Sequence, residues 1–369
     1  VGVKNPFGEG AFTISVSPAN DDITLTGNVL TINAGLPEEY NATLTISSAD
    51  GSCQTQYPII VNTRVYPVIK ESVFIDRGTG KIYLNETEFY GEQPSAVKFN
   101  GVNVLNEEVI NVEEIRKVSG KPFSLDMTFK GAVYRFNNAV ICDKVFINTS
   151  ESRADMASTF SDETSDSGYY VVLEDITFDE QAVLSSSGET EIFANTNNTA
   201  VFSGTLDGRG HVLNGPILMN ATQKNSMFGV AGDGATVENI AIINVKRYYN
   251  GNIEYKYGTR TSVLFRRPEC SSVTVTLENV YIQREASASS SSASANGVIF
   301  ASDYNDGDST ATELCTLNLT NVIIDYKAQS TNRSVIAGTG SWANANASGT
   351  FNNVYFITNA KVTNGASTL

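Results

Sequence analysis

The last third of the chain repeats one short pattern of apolar and polar positions four times. Each copy has the order apolar, polar, asparagine, apolar, any residue, apolar, and the copies lie at residues 237–243, 277–282, 319–324 and 351–356. The repeated asparagines are 40, 42 and 32 residues apart, at Asn239, Asn279, Asn321 and Asn353. Repeats of this length are typical of stacked coils, in which each unit buries its apolar face against its neighbours.

The recurrence of the asparagine has a structural explanation. Strict alternation would place Val237 and Ile240 on opposite faces of a strand, whereas a bend at Asn239 would return both to the interior. Asparagine is, after glycine, the residue that best tolerates the left-handed conformation that such a bend requires. We therefore expect an internal column of asparagines whose side-chain amides bond to one another up the stack, with a structural rather than a catalytic role.

The first 150 residues show a different pattern, with short alternating runs separated by turn residues. Residues 1–64 contain several such runs, including Phe12, Ile14 and Val16 on one face, and residues 65–150 repeat the theme. Short strands with regular turns indicate a small β-sandwich in each segment. A polar, acidic segment after residue 150 is interpreted as a linker that opens the third region, 151–369. The sequence thus predicts an all-β chain with very little α-helix.

The third region resembles the repeat of bacterial surface and secreted proteins that contain a right-handed parallel β-helix. The resemblance rests on Asp175–Ile176, on the run from Phe202 to His211, on Met227–Gly229 and on the repeated asparagine phrase. It implies two immunoglobulin-like sandwiches followed by a right-handed parallel β-helix, as in modular surface proteins of host-associated bacteria. That family includes adhesins, and its wider fold class includes polysaccharide lyases and hydrolases, so the resemblance does not fix an activity.

The charge of the chain limits which classes of binding partner the sequence favours. The 369 residues carry 25 basic and 40 acidic side chains, a net charge of −15, which argues against nucleic acid and against anionic lipid. No apolar run approaches the roughly 18 residues that a membrane helix needs. The chain starts at Val1 without a signal peptide, so we expect a monomeric part of a longer protein that is extracellular or attached to the cell surface.

The four cysteines are far apart and show no metal-binding spacing. They lie at Cys53, Cys142, Cys270 and Cys315. Cys270 and Cys315 are about one repeat apart, but their offsets from the next repeat asparagine differ. We therefore expect buried free thiols rather than a disulfide.

Two groups of side chains are candidates for ligand binding. Tyr248, Tyr249, Tyr255 and Tyr257 lie within one insertion, and tyrosine is enriched at recognition surfaces because its ring is apolar and its tip polar. Packing of this insertion against the flank of the stack is an equal alternative. Arg266 and Arg267 are suited to an acidic sugar, although an exposed turn beside Pro268 is the favoured interpretation.

One loop suggests calcium, the only cofactor that the sequence brings into consideration. Oxygen ligands crowd together there, at Asp303, Asn305, Asp306 and Asp308. Gly307 departs from the spacing of the usual calcium loop, which favours a solvated acidic loop. The single histidine, His211, stands beside Asp207 and Arg209 in a phrase that the resemblance assigns to a structural turn of the coil.

The sequence therefore favours a non-catalytic binding or adhesion protein over an enzyme. Its expected partner is an extracellular glycan or a protein of a host or cell surface. The alternative is a polysaccharide lyase or glycoside hydrolase that acts in a groove of the β-helix, which requires carboxylates or a base converging there. We identify no catalytic residue, and the identity of the ligand stays open at this point.

Overall fold

A computed structural model shows a chain built mostly of β-strands, which confirms the all-β prediction at that level. The structure describes residues 12–19, 23–26, 29–32, 39–48, 51–52, 54–62, 68–69, 72–84, 94–99, 102–106, 109–111, 113, 115, 125–129, 131–136, 139–161, 166–185, 191–194, 200–219, 226–249, 251–254, 261–270, 272–285, 297–301, 313–327, 335–337 and 346–358. In this part of the chain, no helix has the length and hydropathy needed to cross a membrane.

The described residues of the first region form five strands that match the alternating runs of the sequence. They are β1 (Phe12–Ser17), β2 (Ile23–Thr26), β3 (Val29–Ile32), β4 (Glu39–Ser48) and β5 (Gln54–Asn62). β4 lies between β1 and β5 in an antiparallel sheet, and β2 pairs with β3 in a hairpin. Ala42 and Leu44 on β4 are buried, at 6% and 5% exposure.

In the second region, ten short strands lie within the described ranges. They are β6 (Val68–Ile69), β7 (Val73–Asp76), β8 (Ile82–Leu84), β9 (Ala96–Phe99), β10 (Val102–Asn103), β11 (Leu105–Asn106), β12 (Val109–Ile110), β13 (Leu125–Phe129), β14 (Ala132–Phe136) and β15 (Ala139–Cys142). One sheet has the order β10-β9-β13-β14-β6 and a second has the order β15-β7-β8. Side chains of both sheets share one core, so the two sheets face each other.

The stacked region, residues 144–358, consists of three sheets of parallel strands. The long sheet contains β16 (Lys144–Phe146), β17 (Tyr169–Val172), β18 (Ile176–Thr177), β21 (Thr205–Asp207), β22 (Val212–Asn214), β25 (Ala235–Ile243), β29 (Thr274–Glu285), β30 (Glu313–Lys327), β31 (Asn346–Ser348) and β32 (Phe351–Thr358). The second sheet contains β19 (Ile192–Phe193), β23 (Ile217–Met219), β26 (Lys246–Tyr249) and β27 (Asn252–Glu254), the last of which is antiparallel. The third contains β20 (Val201–Phe202), β24 (Phe228–Ala231) and β28 (Phe265–Pro268).

Each turn of the chain visits these sheets in the same order, which produces the stack. One turn runs through β20, β21, β22 and β23, and the next runs through β24, β25 and β26 in register with it. The third sheet continues through single bridges from Phe265 to Phe300 and from Phe300 to Ala337. The stack begins at β16, several residues ahead of the boundary expected at 150, because β16 pairs in parallel with β17.

An aromatic column fills the centre of the stack. Phe202, Phe228, Phe265 and Phe300 occupy equivalent positions on successive turns, and the ring centroids of neighbours lie 4.5, 5.3 and 6.0 Å apart. All four side chains are at most 4% exposed. Because rings in tilted or offset contact attract one another beyond the burial of their area, this column adds to the cohesion between turns.

The segment expected to be a linker forms a helix, and the linker prediction is wrong. Helix α1 (Ser150–Ser161) starts after Thr149, whose hydroxyl accepts a hydrogen bond from the backbone N–H of Ser152 at 3.2 Å. Met156, Ala157 and Phe160 are buried, and the Phe160 ring lies 4.8 Å from that of Phe228. The helix thus covers the first turn of the stack. Its many polar residues hide this short apolar face in the sequence.

A shorter helix lies in the stacked region, and three of the four cysteines are among the described residues. Helix α2 (Glu180–Ser185) follows β18. Among the described residues Cys142, Cys270 and Cys315 are free, with Cys142 and Cys315 buried and Cys270 half-buried, and Cys53 lies outside them. The expectation of buried free thiols is therefore confirmed for Cys142 and Cys315, whereas Cys270 is free but only half-buried. Burial raises the pKa of the Cys315 thiol to about 12, so this group stays protonated.

Candidate functional site

The repeated asparagine makes the bend that the sequence predicts. Asn239, Asn279, Asn321 and Asn353 have φ angles of 52°, 54°, 55° and 54°. On either side of the first bend, Val237 is 0% and Ile240 is 3% exposed. A left-handed residue at this point therefore turns both neighbouring apolar side chains into the core, as argued from the spacing alone.

The side-chain amides of these asparagines form a continuous ladder. Each Nδ2 donates to the Oδ1 of the previous rung, at 2.8 Å from Asn279 to Asn239, 2.9 Å from Asn321 to Asn279 and 3.0 Å from Asn353 to Asn321. At its base, Asn239 Nδ2 donates to Asp207 Oδ1 at 3.1 Å. The ladder uses one of the two N–H donors of each amide.

The asparagine ladder lies at the surface, and the expectation of an internal column is wrong. Asn279, Asn321 and Asn353 are exposed, and Asn239 is half-buried. The physical reason is that the apolar residues before and after each asparagine fill the inside of the bend, which leaves the amide on the outside. The ladder amides are consequently available to solvent and to a ligand.

A groove of about 630 Å³ runs along this ladder. The groove is lined by Arg209, Gly210, Asn239, Ile240, Ala241, Asn279, Val280, Tyr281, Asn321 and Ile323. Ala241, Tyr281 and Ile323 are register partners on β25, β29 and β30, so they form one outward row beside the asparagines. The groove spans three rung spacings of about 4.8 Å, which gives it a length of roughly 14 Å along the stack.

One end of the groove is formed by the turn between β21 and β22. This turn is longer than the asparagine bends and contains Gly208, Arg209 and Gly210. A Cβ atom on Gly208 would lie 2.4 Å from Cβ of Ile240, so only glycine fits between the two rungs. The guanidinium of Arg209 lies 3.6 Å from the Asp207 carboxylate and above the ring of Phe74.

A column of carboxylates follows the other side of the ladder. Asp207, Glu238 and Glu278 are register partners on β21, β25 and β29. Asp207 is 2% exposed, and its Oδ2 accepts a hydrogen bond from the Tyr169 hydroxyl at 2.9 Å. Partial burial raises the pKa of Glu238, and the like charges of Asp207 and Glu278 raise it further. In-register stacking thus forces similar charges together and makes Glu238 easier to protonate.

Tyr281 is the aromatic side chain of the groove. Its hydroxyl donates to Asp325 Oδ2 at 3.4 Å, which ties the ring to the next rung. Partial burial raises the pKa of this hydroxyl, and the neighbouring Asp325 charge acts in the same direction. The phenol is therefore a neutral donor at physiological pH.

The tyrosines and arginines singled out in the sequence are not in the groove. Tyr248 lies on β26 and packs against the core of the stack, Tyr249 is on the same strand, and Tyr255 and Tyr257 lie outside the described residues. Arg266 and Arg267 lie on β28, and Arg266 is 2% exposed. The exposed turn favoured for this pair is wrong, because β28 continues the parallel sheet through pairing with β24.

The predicted calcium ligands and His211 are the remaining candidates from the sequence. The predicted calcium ligands Asp303, Asn305, Asp306 and Asp308 lie outside the described residues. Within the described ranges, no three His, Cys, Asp or Glu side chains are grouped so that they could hold a metal ion. His211 lies in the turn after β21, where its Nδ1 is 3.1 Å from Asp175 Oδ1.

Sequence reasoning missed Tyr281, Glu238 and Glu278. All three stand at fixed offsets from a repeat asparagine, one residue before it or two after it. An alignment of the repeats by their outward positions would have found both rows, because parallel in-register stacking brings equivalent residues side by side.

Replacement of Asn279 should separate the two contributions of the ladder to stability. Asn279→Ala loses the amide bonds and puts a residue that tolerates the left-handed conformation less well than asparagine at this position, so we expect a loss of about 2 kcal/mol in the free energy of unfolding. Asn279→Gly loses the same bonds without the backbone cost, so its loss should be about 1 kcal/mol. Urea unfolding measures both, and equal losses would contradict a left-handed requirement.

Glu238→Gln should raise stability in a pH-dependent manner. The pKa of Glu238 is higher in the folded chain than its ordinary value of 4.5, so folding is favoured with the proton bound and loses stability as pH rises through the folded pKa. We expect the variant to melt at a higher temperature than the parent at pH 7, and the difference to disappear as the pH falls below 4.5. Glu269→Gln, an exposed carboxylate outside the column, is the control, and an equal effect there would contradict the assignment.

Comparison with known proteins identifies no relative. No family model matches the chain, and neither the curated proteins nor the solved structures contain a match. The function therefore has to be inferred from the groove and from the carboxylate column beside it.

Proposed function

We propose that this chain is a non-catalytic, glycan-binding module of a secreted or surface-attached protein, and that its ligand lies in the groove along the asparagine ladder. In the same proposal, the first two regions are immunoglobulin-like sandwiches and the stacked region is a right-handed parallel β-helix. Support for the helix comes from turns that visit three parallel sheets in a constant order. Support for a sandwich comes from the shared core of two facing sheets in the second region.

The observation that carries the binding proposal is the chemistry of the groove lining. Asn239, Asn279 and Asn321 offer amide donors and acceptors, and Tyr281 offers an aromatic face with a polar tip. Ile323, at 36% exposure, adds an apolar surface to the same row. Sugars present hydroxyl groups and apolar C–H faces together, so an elongated groove with both kinds of contact suits a short stretch of a linear glycan.

The charges around the groove favour a neutral glycan over an acidic one. Glu238 and Glu278 follow one side of the ladder, and Asp325 lies beside Tyr281. Among the described residues that line the groove, Arg209 is the cation, and its guanidinium is already 3.6 Å from the Asp207 carboxylate. A uronate or sulfated sugar would meet uncompensated like charge, in a chain whose net charge is −15.

A second candidate function, hydrolysis of a polysaccharide, is favoured by one specific observation. Glu238 and Glu278 are direct register partners, and their strands are about 4.8 Å apart. Retaining glycosidases place two carboxyl groups about 5–5.5 Å apart, and their acid needs a raised pKa, which is the direction found for Glu238. The pair lies beside the groove rather than in its lining, and for this reason we place binding first.

Glycan binding is tested by an array of neutral and acidic glycans followed by calorimetry on the ligands found. We expect neutral glycans to bind, and Tyr281→Ala to weaken them by about tenfold or more because the ring supplies the main apolar contact. Tyr281→Phe keeps the ring and should lose less. Tyr57→Ala is the matched control, since Tyr57 is 52% exposed on β5 and outside the groove. Unchanged affinity in Tyr281→Ala would place the ligand elsewhere.

Hydrolysis is tested on the same glycans with assays for reducing sugars and for unsaturated uronates. Under the binding proposal, no glycan is turned over at a rate typical of enzymes, about 1 per second or more. Turnover above that rate that disappears in Glu238→Gln would replace the binding proposal with the hydrolase. Turnover that yields unsaturated uronates would instead identify a lyase.

A further inference from the structure

The groove along the ladder has one polar side and one apolar side. The polar side is the ladder itself, where Asn279 and Asn321 expose their amides. The apolar side is the outward row of Ala241, Tyr281 and Ile323, which are register partners on three successive strands. A ligand that fills the groove must therefore be polar along one edge and apolar across the face beside it.

The ladder amides are held in fixed orientations before any ligand binds. The Nδ2 of Asn279 donates to Asn239 at 2.8 Å, and the Nδ2 of Asn321 donates to Asn279 at 2.9 Å. The two N–H bonds of an amide diverge in one plane, so the second N–H of each amide points away from the axis of the ladder. Because these donors are already ordered, a ligand that uses them loses little free energy in arranging them.

The amides are also evenly spaced. The residues on both sides of Asn239, Asn279 and Asn321 pair in register on consecutive parallel strands, so one amide follows the next at about 4.8 Å. A ligand that bonds to all three amides must present polar groups at the same interval in one column. A polymer that coils would leave the column after one or two amides, whereas an extended polymer stays beside it.

We propose that the ligand of this groove is a β-1,4-linked glycan of the glucan type, bound with one sugar beside each of the three ladder amides. This inference rests on the proposed glycan-binding function and adds the class of glycan to it. In such a chain both linking bonds of each sugar are equatorial, so the chain runs nearly straight and advances by about one ring length per sugar. One ring length is close to the distance between neighbouring strands of the stack. Chains of the same sugar with α-1,4 or β-1,3 linkages coil instead.

The shape of the sugar also matches the two sides of the groove. All hydroxyl groups of β-linked glucose are equatorial, so the edges of the ring are polar and its faces present C–H groups. With one edge against Asn279, the face of the same sugar can lie on the ring of Tyr281. A hydroxyl both donates and accepts, so it can accept from the second N–H of an amide and donate to an amide oxygen. Successive sugars in this chain are turned over, but both edges carry hydroxyl groups, and each sugar still presents one to the ladder.

Calorimetry on the full chain with four trisaccharides tests the linkage. Cellotriose, laminaritriose and maltotriose contain the same sugar in β-1,4, β-1,3 and α-1,4 linkage, and β-1,4-mannotriose keeps the straight chain but adds an axial hydroxyl to each ring. We expect cellotriose to bind at least about tenfold more tightly than the other three. Cellotriose should also bind about three- to tenfold more tightly than cellobiose, because it makes one more hydrogen bond to the ladder.

The possible outcomes separate this inference from the proposed function. Binding of laminaritriose or maltotriose as tight as that of cellotriose would overturn the β-1,4 assignment and would leave glycan binding in place. Equal binding of mannotriose would overturn the requirement for an apolar sugar face. Absence of binding to every glycan of the array would overturn the inference together with the proposed function.

The variant Asn321→Gly tests whether one sugar lies beside each amide. Glycine tolerates the φ angle of 55° at this position, so the variant removes the third amide and keeps the bend. We expect it to weaken cellotriose by about three- to tenfold, the effect of one lost hydrogen bond. Cellobiose can occupy the other two amides, so its affinity should stay nearly unchanged and shows that the groove is intact.

Asn244→Gly is the matched control for this variant. Asn244 also has a left-handed backbone, with a φ angle of 52°, and its amide donates to Asn214 Oδ1 at 2.9 Å. It lies outside the lining of the groove, so its replacement should leave both affinities unchanged. An equal loss of cellotriose binding in Asn244→Gly would contradict the inference. So would a loss of cellobiose binding in Asn321→Gly as large as the loss of cellotriose binding.

Discussion

The left-handed bend at one asparagine per turn is the constraint on which the stacked region depends. It allows apolar residues two positions before and one position after the asparagine to enter the same core, and it leaves the amide outside. Since parallel strands keep equivalent residues in register, the amides meet and bond along the stack. The core, the ladder and the groove beside the ladder therefore all follow from a single backbone conformation.

The sequence predicted these bends because their cause is local. A polar residue that tolerates positive φ, placed where the alternation of apolar positions slips, has one simple interpretation. Exposure of the ladder could not be predicted in the same way, since it depends on which side of the bend the neighbouring turns fill. The covering helix was missed for a related reason, because Met156 and Phe160 become an apolar face only against the aromatic rings of the first turn.

The candidate site shows where single-residue reasoning fails in a repeat protein. Clusters such as the four tyrosines or the arginine pair are conspicuous in the linear sequence, yet Tyr248 packs on the core and Arg266 is buried. Tyr281 and Glu238 stand alone in the sequence and gain their neighbours only from other turns. Stacking also affects the electrostatics, since partial burial raises the pKa of Glu238 and the alignment of Asp207 and Glu278 on either side of it raises that pKa further.

Because each turn adds the same rise, the number of turns sets the length of the groove. Each turn adds one amide, one outward side chain in the row of Tyr281 and about 4.8 Å of length, whatever the number of residues in its loops. The repeat spacings of 40, 42 and 32 residues leave the ladder bonds between 2.8 and 3.0 Å. Gain or loss of a whole turn would therefore change the length of extended molecule that the surface can follow, while the chemistry at each step stays the same.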